Sequence, residues 1–148
     1  MRRAFKVIIS ILFITSFSSC NIVSQDRIEK IYYDDGKLKR INFYQNDTIG
    51  RCKFFRKDGS IESDITIEKN IKFFKMYSKD GSLSGEFKTV NGQKQGEGKV
   101  YDKSGSLIVI WNYVNDLKHG EQIFYSKDGK IERREYYEYG KLINEKEY

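Results

Sequence analysis

From residue 28 onward, apolar and polar residues alternate in short runs, each interrupted by a glycine-containing segment, and this alternation predicts a succession of β-strands. Gly36, Gly59, Gly81, Gly105 and Gly129 recur at spacings of 23, 22, 24 and 24 residues. Four residues before each stands an aromatic (Tyr32, Phe55, Tyr77, Tyr101, Tyr125), and two residues after each an aliphatic (Leu38, Ile61, Leu83, Leu107, Ile131). Agreement at three positions in five copies, in a chain only 15% aromatic, marks an internal repeat.

The residue before each repeat glycine is Asp35, Asp58, Asp80, Ser104 or Asp128, and Asp-Gly between alternating flanks signals a β-hairpin. A three-residue loop with the glycine left-handed sets the aromatic directly opposite the aliphatic, where they share a face and pack. The predicted loop of the last copy is thus Lys127-Asp128-Gly129, between Ser126 and Lys130. A second turn closes each repeat: Asn46 to Gly50, Asn91 to Gly96, Asn115 to Gly120, and, in the second copy, only Lys69-Asn70, where Asn tolerates a positive φ. No helical period follows Cys20 and no proline interrupts a ladder, so the expected fold is all-β, an elongated twisted antiparallel meander of roughly ten short strands.

The aromatics four residues before the glycines form one stripe, and Ile31, Phe54, Met76, Val100 and Phe124, one residue earlier, must face the other way. Both faces of the sheet therefore carry apolar groups, and a single layer without helices leaves at least one partly wet. Tyr113, Tyr136, Tyr137 and Tyr139 add aromatic area near the C-terminus and are the candidate partner-binding residues, because tyrosine combines large contact area with a polar handle suited to a protein or glycan.

The N-terminus differs. Arg2, Arg3 and Lys6 precede a largely apolar stretch of eleven residues, Val7 to Phe17, followed by Ser18, Ser19 and Cys20. That order reads as a signal peptide, and the stretch is too short to span a bilayer, which takes roughly 20 apolar residues. A small residue before a cysteine here resembles the bacterial lipobox, with Phe17 a departure from its usual aliphatic residue. The resemblance implies that Cys20 carries a diacylglyceryl group and becomes the new N-terminus. The expected organisation is a signal peptide over 1–19, a lipid-anchored tether over 20–27 and a repeat domain over 28–148. Asn21, not aspartate, follows the cysteine, which favours the outer membrane within the cell envelope.

Removing residues 1–19 lowers the formal net charge from +6 to +3, with charges interspersed. Nucleic acid, which calls for a concentrated basic patch, is not an expected partner. With Cys20 lipidated, Cys52 has no disulfide partner and reads as a half-buried small hydrophobe. His119 is the one histidine and occupies a turn, so no metal site, catalytic triad or cofactor is expected. Glu132, Glu135, Glu138, Glu145 and Glu147 alternate with cations and read as charges that blunt an open sheet edge, not as glycosidase acids.

Trp111, Asn115, Asp116, Lys118, His119, Gly120 and Glu121, followed by Tyr125 and Gly129, resemble one unit of the MORN-repeat family. The nearest likeness is to its bacterial variant, including YwqK-like proteins labelled as antitoxin components. It covers residues 28–148, is clearest from Glu86 onward and is weakest in the second copy. The resemblance implies a β-hairpin array acting as an interaction or membrane-associated platform without chemistry of its own. Two functions follow: a non-enzymatic, envelope-tethered module that binds a protein, antitoxin- or immunity-like, or a structural scaffold whose sheet binds membrane or cell-wall glycan.

Overall fold

In the computed structural model the described residues are 26–148, together with the backbone of 6–9. The expected lipidation site Cys20, most of the expected tether and the rest of the expected signal peptide lie outside them. Strands β1 (Lys6–Ile9), β2 (Arg27–Tyr32), β3 (Leu38–Gln45), β4 (Thr48–Phe55), β5 (Ile61–Glu68), β6 (Ile71–Tyr77) and β7 (Leu83–Val90) are followed by β8 (Gln93–Lys94), β9 (Gly96–Tyr101) and β10 (Leu107–Val114). β11 (Leu117–Lys118), β12 (Gly120–Tyr125), β13 (Ile131–Glu138) and β14 (Lys141–Glu147) complete one sheet in which, apart from the short β8 and β11, each strand pairs antiparallel with the next. β8 and β11 are short extensions on β7 and β10. If export removes β1, as the N-terminal pattern predicts, β2 becomes an edge.

All five repeat turns have the predicted form. Ser126 N–H donates to Lys130 O at 2.9 Å and Gly129 N–H to Ser126 O at 2.9 Å, closing a three-residue loop. The same bond pair recurs at Tyr33, Arg56, Ser78 and Asp102. The glycines take φ of 78 to 88°, a region where a Cβ is strained. Each aromatic lies directly opposite its aliphatic: Tyr32 with Leu38, Phe55 with Ile61, Tyr77 with Leu83, Tyr101 with Leu107 and Tyr125 with Ile131. The aspartates act locally: Asp58 Oδ1 accepts from Ser60 N–H at 2.9 Å and Asp80 Oδ1 from Ser82 N–H at 3.0 Å. Where Ser104 replaces the aspartate, Asp102 supplies the carboxylate, accepting from Ser104 N–H at 2.8 Å.

The second turns are tighter than the sequence suggested. The chain reverses over two residues, Asn46-Asp47, Asn91-Gly92, Asn115-Asp116 and Tyr139-Gly140, all with positive φ, the geometry that matches strand twist. The residues beyond, Gln95-Gly96 and His119-Gly120, are bulges re-entering the ladder, with Gly96 at φ 75° and Gly120 at φ 79°. In the second copy the positive φ (56°) falls on Lys69 and not on Asn70. Asn70 instead docks the turn on its neighbour: its side-chain amide donates to Asn91 Oδ1 at 3.0 Å, and Asn91 N–H donates to Asn70 O at 2.9 Å. Asp116 N–H to Lys94 O (3.1 Å) and Gly140 N–H to Lys118 O (2.7 Å) continue this column of turn-to-turn bonds. Neighbour-to-neighbour contact of this kind is how a repeat array is stabilised.

The described residues form a single layer and enclose no apolar core. Cys52 is the one buried hydrophobic side chain among the described residues. The other buried side chains are polar: Glu29, Asn42, Ser63, Thr89, Gln122 and Glu135. The pairing register explains where most of them sit. Successive direct opposites carry one line across the sheet from Glu29 through Asn42, Cys52, Ile65 and Phe74 to Phe87, and it continues on the same face through the opposed pairs Gly98–Trp111 and Gln122–Glu135. Its middle is apolar and aromatic, and its ends are polar. Glu29 accepts from the Asn42 amide and the Tyr44 hydroxyl, both at 2.8 Å.

Candidate interaction surface

Because side chains alternate along each strand, the register assigns every residue to one of two faces. The Trp111 face carries the line just described, flanked by Phe54, Met76, Val100, Val109 and Phe124 on one side and by Ile67, Tyr113 and Tyr137 on the other. The Tyr101 face carries the five aromatic–aliphatic pairs. Beside them runs a row of direct opposites: Lys30, Ile41, Lys53, Asp64, Lys75, Glu86, Lys99, Ile110, Ile123 and Arg134. Lysine recurs there six residues before four repeat glycines, a signal present in the sequence but hidden until the register is known.

The faces differ in electrostatics. On the Tyr101 face lysines alternate with acids and are partly neutralised. Asp64 pairs with Arg51 and lies 3.7 Å from Lys53 Nζ. Burial pushes the Asp64 carboxyl up, but the Arg51 hydrogen bond and the Arg51, Lys53 and Lys75 charges outweigh it and hold the group below its ordinary range. The Tyr101 hydroxyl donates to Glu86 Oε1 at 2.8 Å, and burial together with Glu86 raises its pKa. A hollow of about 240 Å³ on this face is bordered by Lys75, Glu86, Lys88, Glu97 and Lys99.

On the Trp111 face the cations lie over rings. Lys118 Nζ is 4.5 Å from the Trp111 ring centre and 4.6 Å from that of Tyr137, and Lys94 Nζ is 5.0 Å from Tyr113 and 5.8 Å from Phe87. Arg27 lies over Tyr44 at 3.8 Å and Arg133 over Phe124 at 4.0 Å. Phe74 stacks on Phe87 at 4.6 Å, and Trp111 meets Phe124 edge-on at 5.6 Å. Gly98 lies between Phe87 and Trp111, and a Cβ there would come within 3.1 Å of Phe87 Cβ. A cleft of about 260 Å³ results, walled by Phe87, Trp111, Met76 and Tyr113 beneath Lys94.

The four candidate tyrosines do not form one patch. Tyr113 and Tyr137 share the Trp111 face, whereas Tyr136 stands opposite Glu121 and Asn144 on the Tyr101 face. Tyr139 belongs to neither face: it holds φ 43° in the last turn, with its ring 4.6 Å from His119. Strict alternation separates Tyr136 from Tyr137, and the two-residue turn removes Tyr139 from the strand. His119 is half-buried, not a free turn residue, and Nδ1 accepts from Tyr139 N–H at 3.4 Å. Cys52 is more buried than its sequence surroundings suggested, and burial raises its pKa. Of the terminal carboxylates, Glu135 is buried and held 2.6 Å from Arg133, while Glu132, Glu138, Glu145 and Glu147 are exposed. No group of His, Cys, Asp and Glu among the described residues is arranged to hold a metal ion.

Gln122 was missed by sequence reasoning. It is fully buried; its Oε1 accepts from Asn112 N–H at 2.9 Å and its Nε2 donates to Asn112 O at 3.1 Å. The His119-Gly120 bulge shifts β12 out of register with the end of β10, and the Gln122 amide takes up the ladder there.

No curated protein matches the chain. Among solved structures, similarity is found to a S. aureus TarM mutant in complex with fondaparinux, alpha-GlcNAc-glycerol and UDP, at 12% identity and a TM-score of 0.36 over 63% of this chain and 17% of that one. A second is the GtfA/B complex bound to UDP and GlcNAc, at 13% identity and a TM-score of 0.33 over 77% of this chain and 24% of that one. The chain thus spans under a quarter of the length of either. The family pattern described as the MORN repeat variant matches residues 28–46, 94–115 and 118–139. The unmatched stretch between the first two contains the second copy, whose Lys69-Asn70 turn lacks the longer glycine-closed element. Three stretches of this antiparallel hairpin array are thus similar to the MORN repeat variant, and it is to that repeat that the chain is likened.

Proposed function

We propose that the mature protein is a non-enzymatic interaction module, exported and anchored in the cell envelope through lipid on Cys20, that binds a protein partner on its sheet. The observation that carries this reading is the single layer formed by the described residues, which leaves aromatic rows on both faces with no second layer among those residues to cover them. Contiguous apolar area of that kind marks an interaction surface. The match to MORN repeats supports a platform that engages a protein or a membrane. A lipid anchor contributes about 0.8 kcal/mol per buried CH₂, so the sheet need not hold the membrane itself. The immunity-type reading adds one requirement, that the partner be a toxin.

Cross-linking affinity capture of the tagged protein from the cell envelope, with Cys20→Ala as control, tests the reading. One protein recovered near stoichiometry from the lipidated form is the expected result. Recovery of glycan or lipid alone would favour the structural scaffold, and recovery of nothing would remove the interaction role.

A further inference from the structure

We infer that the docking face is the Trp111 face and that its partner is an acidic protein segment whose apolar side chain seats in the Phe87–Trp111 cleft. This rests on the protein-binding reading above and adds the face and the partner's chemistry. Between β4 and β12 the register places Lys72, Lys94 and Lys118 on this face, and among the described residues it places no aspartate or glutamate there. Glu86, at the cleft's border, turns its carboxylate to the other face to bind Tyr101. The Tyr101 face over the same strands carries Asp64, Glu86, Glu97 and Glu121 among its lysines. The asymmetry between the two faces is therefore one of charge.

The cations are also placed for a partner. Lys94 bridges Phe87 and Tyr113, and Lys118 bridges Trp111 and Tyr137, so two ammonium groups stand over the aromatic walls of one cleft. Among the described residues neither has a carboxylate partner within ion-pair distance. An apolar side chain entering between Phe87 and Trp111 would bring its flanking residues beneath these ammonium groups. Carboxylates there gain charge-assisted hydrogen bonds, and lysines would be repelled. Trp and Tyr, which wall this cleft, are among the residue types that dominate interface energetics, whereas the lysines supply charge complementarity.

The test measures binding of three fluorescein-labelled heptapeptides to the full-length processed protein in detergent. All have a central Leu-Trp pair, flanked by Asp and Glu, by Ser, or by Lys. The acidic peptide should bind about tenfold tighter than the serine peptide, corresponding to two weak charge pairs, and the lysine peptide weaker than either. The double reversal Lys94→Glu with Lys118→Glu, at one exposed and one half-buried position, should abolish that order while the β-signal in circular dichroism stays intact. Trp111→Ala should weaken all three peptides. Equal binding of the three, or an order unchanged by the double reversal, overturns the inference. Competition by phosphatidylglycerol vesicles without peptide binding would assign the face to anionic lipid and overturn it too. If envelope capture recovers a partner whose binding survives the double reversal but not Trp111→Ala, the acidic chemistry fails while the protein-binding reading stands.

Discussion

Replacing Gln122 by leucine tests whether side chains complete the backbone ladder where a repeat bulges. Leucine keeps most of the volume but leaves Asn112 N–H buried without its acceptor, whereas Asn112 O keeps His119 N–H at 3.0 Å. One orphaned buried donor costs about 1–3 kcal/mol. For a domain of this size that lowers Tm by roughly 3–5 °C per kcal/mol, so a drop of about 6–10 °C is expected at the central value. Stacked repeats can open in parts, so amide exchange should show the loss concentrated in β10 to β14. Gln122→Glu gives a second readout. The carboxylate can accept from Asn112 N–H but is set against the Asn112 and Gly120 carbonyls, which favour its protonated form. Its folded pKa is thus raised above the unfolded value, so its stabilisation is present below the unfolded pKa and lost as pH rises through the folded one. The deficit of Gln122→Glu relative to the unsubstituted protein should shrink between pH 8 and about pH 4.5, whereas that of Gln122→Leu should not. A Gln122→Leu protein melting within about 1 °C of the parent would refute the reasoning.

Gly105→Val forces a β-branched residue to φ 85° and should cost about 1–3 kcal/mol, whereas Gly50→Ala, with open space at its Cβ and no positive φ, should change stability by less than about 0.5 kcal/mol; paired thermal melts decide. The carboxyls of Asp58, Asp80, Asp102 and Asp128 are held below their ordinary range, first by the side-chain hydrogen bonds of Ser60, Ser82, Ser104 and Ser126. Depressed folded pKa values give stability that is present above the unfolded value, about 3.9, and lost as pH falls through the folded ones, so a fourfold Asp→Asn variant should show a shallower acid loss than the parent. Cys52, buried with its pKa raised, should not react with a disulfide reagent in folded Cys20→Ala protein and should react fully in denaturant; rapid labelling of the folded form would refute its placement.

The repeat and its hairpins were legible because they depend on short-range chemistry. Gly129 and Asp128 fix a turn locally, and the pairing of Tyr125 with Ile131 follows from loop length alone. The surface was legible only in part. That apolar groups lie on both faces follows from alternation, but which face carries the acids depends on cross-strand register and bulges, so Lys30, Lys53, Lys75 and Lys99 became a row only once neighbouring strands were aligned. Tyr136, Tyr137 and Tyr139 lie close together in the chain, yet alternation puts Tyr136 and Tyr137 on opposite faces and the turn at Tyr139-Gly140 takes Tyr139 off the strand. Gln122 and Glu135 read as surface polar residues because strand patterning presumes an apolar interior, which a single layer does not have.

Site-specific photo-cross-linking in the intact envelope tests the central claim most directly, with a photo-reactive residue at position 113 on the Trp111 face or at position 123 on the Tyr101 face. The expected result is one discrete protein adduct from position 113 and none from position 123. Adducts with lipid alone, or no adduct from position 113, would contradict it.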